Sequence, residues 1–155
     1  MRASDRAYAK LLDEIQSGAL APGTVVGEVE QAARLGISRT PMREAIGRLV
    51  ADGLVRQQSP RVLVVSGFEI EDIRSLFQAR RALEEAMARI AAARADSEVF
   101  TALAHDFDIA KPELGAQAAE AYYSAIARFD SALDRAVDNA YLVQALRTVR
   151  TNLAR

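Results

Sequence analysis

The stretch Gly36-Ile37-Ser38-Arg39-Thr40-Pro41-Met42-Arg43-Glu44-Ala45-Ile46-Gly47-Arg48-Leu49 constrains the fold more than any other part of the chain. It follows a short amphipathic run from Glu28 to Leu35, and Gly36-Ile37 closes a tight turn between the two. Ser38 can cap the next helix, and Pro41 falls within the first turn, where a missing N–H is tolerated. Met42, Ala45, Ile46, Leu49 and Val50 then recur at the i, i+3, i+4 spacing of a buried face. Arg39, Thr40 and Arg43 fall off that stripe, at the helix N-terminus. Helices joined in this way form a helix-turn-helix, whose second helix brings its N-terminal end to base edges in the major groove. Two guanidiniums one turn apart can each fork onto guanine or grip phosphate there. An ordinary capped helix with solvated arginines is the competing reading, and Glu44 is spaced to pair with Arg48 at i+4.

The net charge of −1 argues against nucleic acid only when read as a whole. Residues 34–61 carry six arginines (34, 39, 43, 48, 56, 61) against Glu44 and Asp52, whereas residues 62–155 hold eleven basic and fourteen acidic residues. The basic footprint is local, as one DNA-reading face requires. Cysteine is absent, which excludes disulfides and thiolate metal sites and suits a reducing compartment. No apolar run approaches the ~20 residues that span a bilayer, and the N-terminus lacks the layout of a signal peptide. The expectation is a soluble cytoplasmic protein with no membrane partner.

Residues 5–17 read as an amphipathic helix with Tyr8, Leu11, Leu12 and Ile15 on one face and Gly18 as its C-terminal cap. Ala21-Pro22-Gly23 makes a turn before the helix pair. The second helix of the pair ends at Asp52-Gly53. Leu54-Val55-Arg56 and Val62-Leu63-Val64-Val65 then read as two strands, with Gln57 to Arg61 as the hairpin tip. Arg56 and Arg61 could contact phosphate or minor groove from there, against the alternative of a plain surface hairpin. Ser66-Gly67 is a hinge, beyond which the pattern is helical. Four helices are expected: Glu69 to Ala95, Ser97 to about Ala110, Gln117 to Ala136 and Ala140 to Arg155. Lys111-Pro112-Glu113-Leu114-Gly115 breaks the second from the third. In the first of these, Ile70, Ile73, Leu76, Phe77, Leu83, Met87 and Ile90 keep helical phase. The expected fold is mostly α. A winged helix-turn-helix with a small β-hairpin (1–66) precedes an incomplete all-α antiparallel bundle (67–155).

The run "GALAPG", "GEVEQAARLGISRTPMREAIGRLVADGLV" and a following hairpin resembles the winged helix of the GntR family of bacterial transcriptional regulators. The segment "EIEDIRSLFQARRALEEAMARIAAARA" is similar to the opening helix of the FadR-type (FCD) effector domain. The resemblance implies a homodimeric repressor or activator that binds a short pseudo-palindrome and is switched by a small acidic metabolite. Two-fold symmetry of protein and operator go together on geometric grounds. Arg39, Thr40 and Arg43 match the family's recognition-helix contacts. Ser38 matches the start of that helix and Glu28 the polar start of the preceding one, and the resemblance implies that both contact DNA together with Arg39, Thr40 and Arg43. Val29 stands where some relatives carry a DNA-contacting arginine. Gln31 replaces a usual leucine, placing an amide on a core face, and Val62 replaces a usual glycine in the wing.

Many FCD domains bind a divalent metal through an aspartate, a histidine four residues later and two further histidines. Here Ile126 occupies the aspartate position and Asp130 the histidine position, and His105 is the only histidine of the chain. His105 beside Asp106 and Asp108 reads as a solvated polar face rather than a hard-cation site. Neither a metal nor any other cofactor is expected. A carboxylate effector needs a cation and hydroxyl donors, for which Arg80, Tyr122 and Tyr123 are the candidates. The alternative pairs Arg80 with Glu84 at i+4 and packs the tyrosines. The family's effector domain continues for several more helices, so the chain is read as a fragment, a premature stop or a short form whose exposed faces dimerise. A truncated module that titrates a full-length relative is the second functional reading. An enzyme is not expected, since no nucleophile elbow or Gly-rich phosphate loop occurs.

Overall fold

A computed structural model describes residues 1–94, 97–110 and 115–154. The elements run α1 (Ala3–Gln16), α2 (Glu28–Arg34), α3 (Arg39–Ala51), β1 (Val55–Ser59), β2 (Val62–Val65), α4 (Ile70–Arg94), α5 (Ser97–Ile109), α6 (Ala116–Val137) and α7 (Ala140–Leu153). A winged helix-turn-helix therefore precedes a helical bundle, as expected. The chain divides into two compact units, one of Met1–Gln78 with the chain from Thr148 onward, the other of Ala79–Arg147. The expected break at Lys111–Leu114 and the helix ends at Ala95 and Arg155 lie outside the described residues.

In the first unit, the apolar stripe of each helix forms one core. Ala7, Leu11 and Ile15 of α1 meet Met42, Ala45, Ile46 and Leu49 of α3, with Val26, Leu54, Val55 and Val65 completing the cluster. Leu11, Met42, Ala45 and Leu49 are wholly buried. Asp5 draws α1 back to Ala3, two residues before the expected start, because its carboxylate accepts the Arg2 backbone N–H at 3.3 Å. Gly36 takes a left-handed φ of +64° after α2, a conformation natural to glycine, and the Ile37 N–H returns to the Ala32 carbonyl at 3.0 Å. That turn fixes the angle at which α3 leaves α2.

The hairpin is longer-stranded than expected. Its ladder pairs Val55 with Val65, Arg56 with Val64, Gln57 with Leu63 and Ser59 with Val62, with a bulge between Gln57 and Ser59. Gln57 to Ser59 thus belong to the strand, and only Pro60 and Arg61 remain as the tip. Gln58 is the extra residue of the bulge, left out of the ladder, and pairing resumes at Ser59. Val62 is half-buried in β2. The segment between the Ala21-Pro22-Gly23 turn and α2 also joins: Val25 bridges Val64, and the Val26 N–H reaches the Leu63 carbonyl at 2.8 Å. At the far end of the core, Asn152 of α7 is buried and donates to the Asp52 carbonyl at 2.7 Å.

The first turns of α4 leave their apolar side open. Ile70, Ile73 and Phe77 hold helical phase but are 74%, 41% and 55% exposed. The reason is physical: phase fixes a shared side, while burial needs a packing partner, and among the described residues none covers that side.

In the second unit, Met87, Ala91, Leu133, Val137 and Leu146 form the core, with Leu83, Ile90, Phe129 and Leu142 against it. Phe100 and Phe107 meet Phe129 edge-on at centroid distances of 6.1 and 6.2 Å, tying α5 to α6. Asn139 Oδ1 accepts the backbone N–H groups of Tyr141 and Leu142 at 3.1 and 3.2 Å and so starts α7.

Candidate nucleic-acid interface

The burial of one side of α3 leaves its other side to solvent. Ser38, Arg39, Thr40 and Arg43 are all exposed, crowded into the turn and the first helical residues. Ser38 occupies the N-cap position with φ −73° and ψ 162°, but its hydroxyl makes no capping hydrogen bond. This corrects the expected cap. The extended Ser38 backbone already starts the helix, and its exposed hydroxyl remains available to an anion.

The six arginines of residues 34–61 divide by their partners. Arg34 forks onto Glu14 at 2.8 and 2.6 Å and donates through Nε to Gln31 Oε1 at 2.8 Å. That network resolves the amide on the core face: Gln31 is buried, and its oxygen is satisfied. The Arg34 hydrogen bonds hold the Glu14 carboxyl below its ordinary range, outweighing burial, which acts the other way. Arg48 does not pair with Glu44 as the i+4 spacing suggested. It bonds Asp5 at 2.9 Å and lies 4.0 Å over the Tyr8 ring, whose hydroxyl donates to Asp52 at 2.6 Å. The tertiary site offers a carboxylate and an aromatic face together, which a helical neighbour cannot.

Arg43 Nε donates to both carboxylate oxygens of Glu28, at 3.2 and 3.0 Å. Arg39, Arg56 and Arg61 are exposed and have no side-chain partner among the described residues. Arg39 opens α3, Arg56 lies on β1, and Arg61 stands at the hairpin tip. The sequence reading therefore placed Arg39, Thr40 and Arg43 on one exposed turn, and missed that Arg34 and Arg48 are structural.

Two family models match the chain: bacterial regulatory proteins of the gntR family over residues 3–65, and the FCD domain over residues 75–155. The chain belongs to the GntR family, with an FCD domain. It is 37% identical over 82 residues to an HTH-type transcriptional regulator of the TAR-I ttuE-ttuC' intergenic region of Agrobacterium vitis, covering 53% of this chain and 48% of that one. Identity to the Nta operon transcriptional regulator of Aminobacter aminovorans is 36% over 95 residues, 61% of this chain and 44% of that protein. Among solved structures, a GntR transcriptional regulator from Rhodococcus sp. RHA1 matches with a TM-score of 0.66 at 27% identity, over 97% of this chain and 72% of that one. The chain spans about half the length of the curated relatives it matches.

In the FCD portion of this GntR protein, the described residues gather no candidate group of metal ligands. Ile126 offers no ligand atom, Asp106 is engaged by Arg128 at 2.8 Å, and no group of three His, Cys, Asp or Glu side chains forms among the described residues. Of the effector candidates, Arg80 bonds Glu84 at 2.9 Å, and Tyr122 packs edge-on against Phe107 at 5.7 Å and Tyr123 at 6.0 Å. Tyr123 is exposed. A separate apolar cavity of about 590 Å³ is lined by Ala88, Ala92, Phe100, Ala104, Phe129 and Leu133, among others. No helix among the described residues is long and apolar enough to cross a membrane.

Proposed function

We propose that this GntR protein is a sequence-specific, DNA-binding transcriptional regulator. It acts as a homodimer on a short pseudo-palindromic operator in the cytoplasm. The observation that carries this reading is the exposed cluster Ser38, Arg39, Thr40 and Arg43 at the start of α3, backed by the buried Met42, Ala45, Ile46 and Leu49 on the opposite face. Arg39 and Arg43 read bases, Ser38 and Thr40 set the register on phosphate, and Arg56 and Arg61 add affinity for the backbone. Repression by occupancy of a promoter site follows from such binding without any chemistry on the DNA, so no enzymatic step is assigned.

Homodimer formation is supported by the apolar side of α4. Ile70, Ile73 and Phe77 lie at i, i+3 and i+7 and are exposed, a surface that a second copy would cover. The effector assigned to the FCD portion is a small carboxylate that binds Arg80 in competition with Glu84, whose bond engages only the Arg80 Nε. Selection of preferred sites from random duplex DNA tests the proposal. A consensus with two-fold symmetry is expected; enrichment of no sequence, or of a single unrepeated half-site, would refute the dimeric reading head.

A further inference from the structure

The geometry points to Glu28 as a positioning residue for base recognition: it orients the guanidinium of Arg43 and makes no contact with DNA itself. This inference rests on the reading of Arg43 as a base-contacting residue. A guanidinium carries five N–H donors in a planar fork. In this structure one of them, Nε–H, is shared by both oxygens of Glu28 at 3.2 and 3.0 Å, and the terminal amines have no partner among the described residues. The carboxylate therefore grips the guanidinium by its inner edge and leaves the outer edge open. The outer edge, with two parallel N–H groups, is the one that matches the O6 and N7 acceptors of guanine.

Glu28 is well placed to hold that orientation. It is the first residue of α2, its side chain is 29% exposed, and the turn at Gly36 sets α2 and α3 at a fixed angle. The Arg43 side chain, by contrast, is 68% exposed and carries several rotatable bonds. Without the tether it would sample many directions, including those that reach phosphate. Restraining it in advance reduces the freedom lost on docking and keeps it from substituting a phosphate contact for a base contact. The negative charge of Glu28 also weakens attraction to the DNA backbone in general. The residue thus trades affinity for discrimination. Arg39, with no partner among the described residues, has no such guide.

The experiment compares the parent with Arg43→Ala, Glu28→Ala, Glu28→Gln and the Glu28→Ala/Arg43→Ala pair. Binding is measured on the selected operator and on every single-base change of it, with thermal unfolding as the control for folding. Arg43→Ala is expected to flatten the preference at one base pair of each half-site. Glu28→Ala is expected to reduce the preference at that same pair by about five- to tenfold while tightening binding to random DNA. Glu28→Gln keeps an oxygen acceptor for Nε–H and is expected to retain most of the preference. In the Arg43→Ala background, Glu28→Ala is expected to change no base preference further. If Arg43→Ala flattens one pair but Glu28→Ala leaves that pair intact, the positioning role is refuted and the base-reading role stands. A Glu28→Ala effect that persists without Arg43 also refutes it, because Glu28 would then act on DNA directly. If Arg43→Ala leaves every preference intact, both assignments fall.

Discussion

Removal of Arg34 tests how the helix-turn-helix is held against α1. Arg34→Ala deletes two bonds to Glu14, at 2.8 and 2.6 Å, and one to Gln31 at 2.8 Å. Glu14 is only 11% exposed at its side chain, so its charge is left poorly solvated with Lys10 at 3.6 Å as its remaining partner. Breaking a fully buried pair from one side costs about 3–5 kcal/mol. Arg34 is 40% exposed, so solvent already screens part of the interaction, and about 2–3 kcal/mol is expected at pH 7. For a unit of this size that lowers Tm by roughly 10–15 °C. The pH dependence has a definite sign. Glu14 is held below its ordinary value near 4.5 in the folded protein, so its contribution is present above that value and lost as pH falls through the lower, folded one. The stability gap between parent and Arg34→Ala, followed by urea unfolding, should therefore be full at pH 7 and narrow below about pH 4. Glu14→Gln added to Arg34→Ala should restore part of the loss by removing the stranded charge. An unchanged gap across this range, or no restoration in the double variant, would refute the reasoning.

Other substitutions probe separate parts of the account. Arg61→Ala at the hairpin tip should weaken binding to all sequences alike and reduce the slope of log affinity against log salt by about one, as read by anisotropy titrations. Gly36→Ala meets no atom within 4 Å, so its cost is the left-handed backbone alone, about 1–2 kcal/mol in denaturant melts. Tyr8→Phe removes the 2.6 Å bond to Asp52 while keeping the ring beneath Arg48, and should lower stability by about 1 kcal/mol without altering base preference.

The helix faces of the first unit were legible because periodicity is local. Leu11 and Ile15 in α1, and Met42, Ala45, Ile46 and Leu49 in α3, point inward by phase alone. Side-chain partners far along the chain were not legible. Arg43 finds Glu28 fifteen positions away, Arg34 finds Glu14 twenty away, and Arg48 finds Asp5 forty-three away. Each pairing exists only once three helices share a core, so a count of arginines overstated the free positive charge. The hairpin ends failed for a different reason: Gln57 and Gln58 carry no strand signal, and the bulge at Gln58, after which pairing resumes at Ser59, has no sequence marker of its own here. The front of α4 shows the limit of phase, since Ile70, Ile73 and Phe77 share a side that this unit does not bury.

The central claim is that the exposed first turn of α3 reads base pairs. Repeating the selection from random DNA with Arg39→Ala tests it most directly. The account expects the consensus to lose its base preference at one position in each half-site, symmetrically, with the remaining positions unchanged. A consensus identical to that of the parent would contradict it.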